Sequence, residues 1–249
     1  MTTAHDILET LTSLRDEKQR QVLCRFFKTG PGAYGEGDEF LGLRVPQTRA
    51  VVREARHTVS LAEIDRLLAS PWHEARLCAL LLLVDEMQAA LPTKRRPGDA
   101  ARRHELAQFY LAHAHQANNW DLVDLSAPGI LGQYLLHPTP EGALPDRHLL
   151  DHLAQCPNLW QQRIAIVSTL ALIRSGQYQD TLRIATRLLS HPHDLIHKAV
   201  GWMLREVGKR DLDLLRTYLA AHLRQMHRTT LRYAIERMTP IERQQWMEA

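Results

Sequence analysis

Three short segments in the C-terminal half of the chain repeat one another at near-constant spacing, and this limits the fold more than any other feature. Arg163-Ile164-Ala165-Ile166 is echoed by Lys198-Ala199-Val200-Gly201 and again by Arg232-Tyr233-Ala234-Ile235, at offsets of 35 and 34 residues. Proline precedes the first two of these segments, at Pro157 and Pro192, much as Pro71 precedes the segment carrying Arg76. A period of this size with two helices per unit is the signature of an α-solenoid of the HEAT or armadillo kind. Each unit cannot bury its apolar face alone and must stack on its neighbours. The expectation is an all-α fold over residues 1–249, read as a single repeat domain with an inner, basic surface lined by every second helix.

Local patterns agree. No sustained alternation of β-branched and aromatic residues occurs, and no Asn-Gly or Asp-Gly hairpin turn is present. Apolar residues instead recur at helical intervals. Ile7, Leu8, Leu11 and Leu14 begin the pattern, and Val22, Leu23, Phe26 and Phe27 resume it. Helices are expected over 72–87, 101–115, 120–135, 147–155, 160–175, 179–189, 194–207, 212–223 and 229–238. Pro46 suits a first-turn position, Ser60-Leu61-Ala62-Glu63 reads as a capping box, and Ser70-Pro71 as a helix start. The glycine-rich stretch 29–39 and the stretch 91–99 read as loops.

Composition excludes several classes. Hydrophobic residues make up 45% and charged residues 24%, an ordinary globular balance. Cys24, Cys78 and Cys156 lie far apart with no C-x-x-C spacing, which argues against a disulfide framework or zinc knuckle and suits a reducing cytosol. The first residues lack a basic segment followed by an apolar run, so no signal peptide is expected. The longest apolar run, Leu77 to Val84, falls well short of the ~20 residues a membrane-spanning helix needs. The expected location is cytoplasmic.

Net charge is only +3, but it is unevenly placed. Residues 151–249 hold 14 basic against 9 acidic side chains, whereas the preceding residues hold 17 against 19. A one-sided basic surface suits a polyanion. Arg163, Lys198 and Arg232 should form a ladder along one edge; Arg224, Arg228 and Arg232, spaced by four, share a face if one helix carries them, and Arg205 is a further DNA-binding candidate. Such a ladder fits a phosphate backbone. A row of solvated arginines on a solenoid edge fits the same pattern.

Three segments concentrate tryptophan, carboxylate and arginine: Trp120-Asp121-Leu122-Val123-Asp124, Trp160-Gln161-Gln162-Arg163, and Lys198 through Glu206 with Trp202 at its centre. Trp120 and Asp124, four apart, share a helix face. Taken singly, a helical tryptophan belongs to the core, and Asp121 reads as a solvated first-turn acid favoured by the helix dipole. His191, His193 and His197 could suggest a metal, but the intervening Pro192 and the lack of a partnered acid or cysteine favour a surface turn. The stretch Gly30–Gly37 lacks the Lys-Ser/Thr ending of a P-loop. No cofactor and no metal are implied.

Taken together and in order, these motifs resemble the AlkD family of alkylpurine DNA glycosylases, built from HEAT-like repeats. The likeness begins at Arg25-Phe26-Phe27-Lys28 and Phe40-Leu41-Gly42-Leu43-Arg44-Val45-Pro46. It continues through Trp120–Asp124 and Leu159–Ile166, and it is strongest over Lys198–Glu206. The resemblance implies a catalytic aspartate at Asp124, cleft tryptophans at Trp120 and Trp202, and a backbone-holding arginine at Arg163. It implies hydrolysis of cationic N3- or N7-alkylated purines, such as 7-methylguanine and 3-methyladenine, in double-stranded DNA. It further implies cleavage with the lesion largely in the duplex. A concave solenoid surface is expected to offer no deep base pocket, and a solenoid with capped ends to be a monomer. A tyrosine that family members place in the first helix aligns with Phe26, and Tyr34 in the next loop is a candidate to replace its hydroxyl. A non-catalytic repeat scaffold, binding DNA or protein, is the competing expectation. A protein-binding scaffold needs neither the acid between two tryptophans nor a basic inner face, whereas only an activity assay separates a DNA binder from the enzyme.

Overall fold

The computed structural model describes all 249 residues. It contains fourteen α-helices and no named strand, with only isolated bridges between Glu39 and Trp72 and between Thr93 and Arg96. No helix is long and apolar enough to cross a membrane. The chain packs as two compact units, Met1–Ile130 and Leu131–Ala249.

The first unit comprises α1 (Ala4–Ser13), α2 (Glu17–Phe26), α3 (Val45–Ala55), α4 (Leu61–Leu68), α5 (His73–Ala90), α6 (Ala100–Ala112) and α7 (Trp120–Ser126). Helices α1, α3, α4, α6 and α7 all pack on α5. That position explains the unbroken apolar run 77–83, whose residues are all buried. A helix enclosed by neighbours is apolar on every side rather than along one stripe, and each buried leucine contributes ~1.5–3 kcal/mol.

Several helix starts differ from expectation for visible reasons. Ser60 Oγ accepts from the Glu63 amide at 3.3 Å, but the Glu63 carboxylate reaches the Ala4 amide at 2.7 Å, tying α4 to α1. Ser70-Pro71 does not open α5. Their carbonyls accept from Arg76 Nη1 at 2.8 and 2.9 Å, and the helix begins after Trp72, where the His73 amide donates to the Glu39 carbonyl at 2.7 Å. Helix α7 stops at Ser126 instead of running on to 135. Pro128 has no amide to continue the ladder, and a π-helical turn, Pro128–Gly132, follows.

The second unit comprises α8 (Leu149–Gln155), α9 (Leu159–Arg174), α10 (Gln179–Leu188), α11 (Asp194–Gly208), α12 (Leu212–His222), α13 (Arg228–Ala234) and α14 (Pro240–Glu248). Helix α8 pairs with α9, α10 with α11, and α9, α11 and α13 pack in succession while α8 meets α10. This is solenoid-type stacking, as the sequence period requires. The registration extends to the caps, because Asn158, His193 and His227 stand at the same 35- and 34-residue offsets. Each accepts from the amide two residues on, at 2.9, 3.1 and 3.2 Å. Where α11 meets α13, a Cβ on Gly201 would lie 2.5 Å from the Thr230 carbonyl oxygen and the Tyr233 Cβ, so only glycine permits that approach. Helix α14 lies beyond the expected helices. Thr239 caps it by accepting from the Glu242 amide at 3.3 Å, and Pro240 opens it.

Gly42 is the tightest backbone contact of the first unit. The Glu74 carboxylate collects the amides of Leu41, Gly42 and Leu43 at 2.9, 2.8 and 3.0 Å. Gly42 adopts φ +95°, and a methyl there would collide with the Asp16 carbonyl oxygen and approach the Arg20 amide to 2.8 Å. We expect Gly42→Ala to cost about 2 kcal/mol or more, from left-handed backbone plus overpacking. Chemical denaturation measures it, and a loss within about 0.5 kcal/mol, as at an ordinary surface site, would refute this packing.

Candidate functional site

The four expected cleft residues divide between the units. Trp120 and Asp124 belong to the first, Arg163 and Trp202 to the second. Trp120 opens α7 and Asp124 lies one turn on. Both are half-buried, as is Trp202, whereas Trp160 is 8% exposed and belongs to the core.

Trp120 and Asp124 line a cavity of about 400 Å³ contained in the first unit, walled by Phe26, Phe27, Leu23, Leu43 and Val45 and reaching His73 and Asp121. Phe26 and Phe27, at the end of α2, and Trp120, at the start of α7, meet ring to ring along its wall. Phe26 is 60% exposed and meets Trp120 edge-on, with ring centroids 5.8 Å apart at 70°. It thus stands beside the tryptophan, where a tyrosine would present its hydroxyl. Tyr34 does not supply that group to the cavity wall; its hydroxyl donates to the Phe26 carbonyl at 3.3 Å.

The floor of the cavity contains a polar cluster that sequence reasoning missed. Asp121, expected to be solvated, is 6% exposed. Its Oδ2 accepts from His73 Nε2 at 2.9 Å, while His73 Nδ1 donates to Asp38 Oδ2 at 2.8 Å. Asp38 also accepts from Asn119 Nδ2 at 3.0 Å and forms an ion pair with Arg76. Asn119 is the cap of α7, its Oδ1 accepting from the Trp120 amide at 2.9 Å. The far end of α7 is held by Ser126, whose hydroxyl lies 3.0 Å from that of the buried Tyr110. Burial, with Asp124 nearby, pushes the Tyr110 phenol up and keeps it protonated.

Burial alone would strip the proton from His73, but Asp121 and Asp38 overcome it and raise its pKa from 6.5 to about 9. Burial would likewise raise Asp38, yet His73, Arg76 and Asn119 hold it below the usual carboxylate range.

The basic residues of the second unit keep register but not exposure. Arg163, Lys198 and Arg232 are each the fifth residue of their helix. Arg163 is 5% exposed and donates to the Leu195 carbonyl in the first turn of α11. Lys198 pairs with Asp194 at 2.8 Å, Arg205 pairs with Glu236, and Arg228 donates to the Met247 carbonyl at 2.6 Å. Arg232 is exposed. An equally exposed ladder is therefore not formed, because α11 packs on α9 while only α14 follows α13. Nor does one helix carry Arg224 with Arg228 and Arg232, since Arg224 lies in the 3₁₀ turn Leu223–Gln225. The three histidines of the 191–197 segment serve the backbone. His191 Nδ1 accepts from the His193 amide at 3.0 Å, His193 caps α11, and His197 bonds the His191 carbonyl while stacking on His227 at 4.1 Å.

A profile described as "DNA alkylation repair enzyme" matches residues 7–238, spanning both units. The chain belongs to the DNA alkylation repair enzyme family. That membership gives it a repair role, with DNA as partner. Among solved structures, a predicted DNA alkylation repair enzyme from Enterococcus faecalis is similar, with a TM-score of 0.65. The match covers 91% of this chain and 97% of that one at 16% identity, a likeness of fold. None of the curated proteins compared matches this member of the family.

Because His73 is protonated more readily folded than unfolded, its stabilisation is fully present below pH 6.5 and is lost as pH rises through about 9. Denaturation across that window should show stability falling in the wild type. His73→Gln should be less stable at the acid end and lack that fall. Equal slopes in the two proteins would locate the titration elsewhere.

Proposed function

We propose that this DNA alkylation repair enzyme is a glycosylase that hydrolyses the N-glycosidic bond of cationic N3- and N7-alkylated purines, 7-methylguanine and 3-methyladenine among them, in double-stranded DNA. The observation that carries this reading is that Asp124 and Trp120 line the same aromatic-walled cavity.

An alkylated purine of this class already bears a positive charge. When its bond to C1′ breaks, the electron pair goes to the base nitrogen and the base leaves neutral, so no acid is needed to protonate it. Positive charge appears on the sugar instead, as in glycoside hydrolysis. Asp124 stabilises that charge and takes a proton from the water that adds to C1′. A preorganised charge of this kind contributes about 3–4 kcal/mol, by analogy with an oxyanion-hole donor. The electron-rich face of Trp120 favours the same cation. We assign DNA binding to the second unit, with Lys198, Arg205, Arg228 and Arg232 on phosphates and the buried Arg163 holding the Leu195 carbonyl at the start of α11. The ion pairs of Lys198 and Arg205 do not oppose this, because half-exposed pairs contribute only about 0–1 kcal/mol and a phosphate can replace the carboxylate. The reaction uses no cofactor, and a monomer in the cytoplasm suffices for it.

Asp124→Asn should reduce release of 7-methylguanine from methylated duplex DNA by about a hundredfold or more, with DNA affinity within about twofold of wild type. Full activity in that variant would remove Asp124 from the chemistry. No release by the wild type would leave a DNA binder without this activity.

A further inference from the structure

We propose that His73, as an imidazolium bonded to a carboxylate through each ring nitrogen, is a positioning residue that holds the first turn of α7 and so aims Trp120 and Asp124 into the cavity. The inference rests on the glycosylase reading for its functional consequence and on geometry for the clamp itself.

Helix α7 has only seven residues, too few to hold its own conformation in isolation. Its direction must come from its ends. At the N-terminal end two buried side chains, Asn119 and Asp121, face α5 and the preceding loop, and both are bound into one cluster: Asn119 to Asp38, Asp121 to His73, and Asp38 to His73 and Arg76. Asp121 Oδ1 is buried with no hydrogen-bond partner, so His73 is the donor that ties this carboxylate to α5.

A neutral imidazole has one N–H and would leave a lone pair facing a carboxylate oxygen. Both bonds are satisfied only by the cation. Charge counting leads the same way. Arg76 balances Asp38, and Glu74 is bound by three backbone amides. His73 balances Asp121. Without the proton on His73, Asp121 becomes a buried anion one turn from Asp124 on the same short helix, and the two repel. Asn119 is uncharged, and Arg44, at the cavity wall, is exposed to solvent.

A second route joins His73 to the site. Its ring lies on Phe40 at 4.4 Å and 23°, Phe40 on Phe27 at 5.0 Å and 21°, and Phe27 on Trp120 at 5.3 Å and 21°. Trp120 is thus set from both sides: its backbone by the Asn119 cap and its ring by a stack that begins on the imidazolium.

The test combines activity with a readout that needs none. Single-turnover release of 7-methylguanine is measured against pH for wild type, His73→Gln and Asp121→Asn, subtracting the enzyme-free rate at each pH. Hydrogen exchange of the α7 amides is measured in parallel. The wild-type rate should decline as pH passes about 9, where His73 loses its proton. In Asp121→Asn the midpoint of that decline should fall by about one pH unit or more, since one of the two anions holding the proton is gone. His73→Gln should lower the rate about tenfold or more at every pH and lack the alkaline limb, with DNA affinity little changed. Its α7 amides should exchange faster while those of α5 stay protected. Unchanged exchange over residues 122–126, or an alkaline limb at the same pH in wild type and Asp121→Asn, would overturn the proposal. Faster exchange in a protein whose wild type releases no base would overturn the glycosylase reading and leave the clamp as a device for holding α7.

Discussion

His73 donates to Asp38 through one ring nitrogen and to Asp121 through the other, and both bonds require its second proton. Around that cation the first unit arranges what the site needs. Asp38 gathers Arg76 and the Asn119 cap, Asp121 secures the start of α7, and the stacked rings of Phe40 and Phe27 carry the arrangement to Trp120. Breaking a buried pair is costly because it strands a charge, on the order of 3–5 kcal/mol. The geometry of a seven-residue helix therefore depends on side chains from α5 and from the loop between α2 and α3.

The second unit is built on a different constraint, that of repetition. Stacked helices α9, α11 and α13 begin with caps in register, and small residues such as Gly201 let them approach. Equivalent positions still differ in environment. Arg163 is buried beneath α11, Lys198 is bound to Asp194, and Arg232 is exposed near the end of the array. Repeat position determines which face a side chain belongs to, and the next helix determines how much of it solvent reaches.

Much of this was legible from the residues. The all-helical class followed from the period, and the pairing of Trp120 with Asp124 followed from a spacing of four. What stayed hidden depended on distance along the chain. Asp121 carries the pattern of an ordinary first-turn acid, and nothing near it announces a histidine 48 residues earlier. Asp38 lies in a glycine-rich stretch whose fold has no period. The walls of the cavity were not legible either, because Leu23, Phe26, Phe27, Leu43 and Val45 lie some 75–100 residues before Trp120 and Asp124 along the chain. Other differences had readable signals: Pro128 marks the end of α7, and Thr239-Pro240 with Glu242 marks the start of α14.

On the proposed reading, the fixed anion of Asp124 on α7 recognises positive charge on the sugar. The direct measurement is the affinity for duplexes carrying, at one position, either a cationic pyrrolidine analogue of the abasic sugar or its neutral tetrahydrofuran counterpart. The two differ in charge at the reacting centre and share the same phosphates, so counterion release cancels. The proposed role of Asp124 predicts about tenfold or greater preference for the cationic duplex, lost in Asp124→Asn. Equal affinity of the wild type for both duplexes would contradict it.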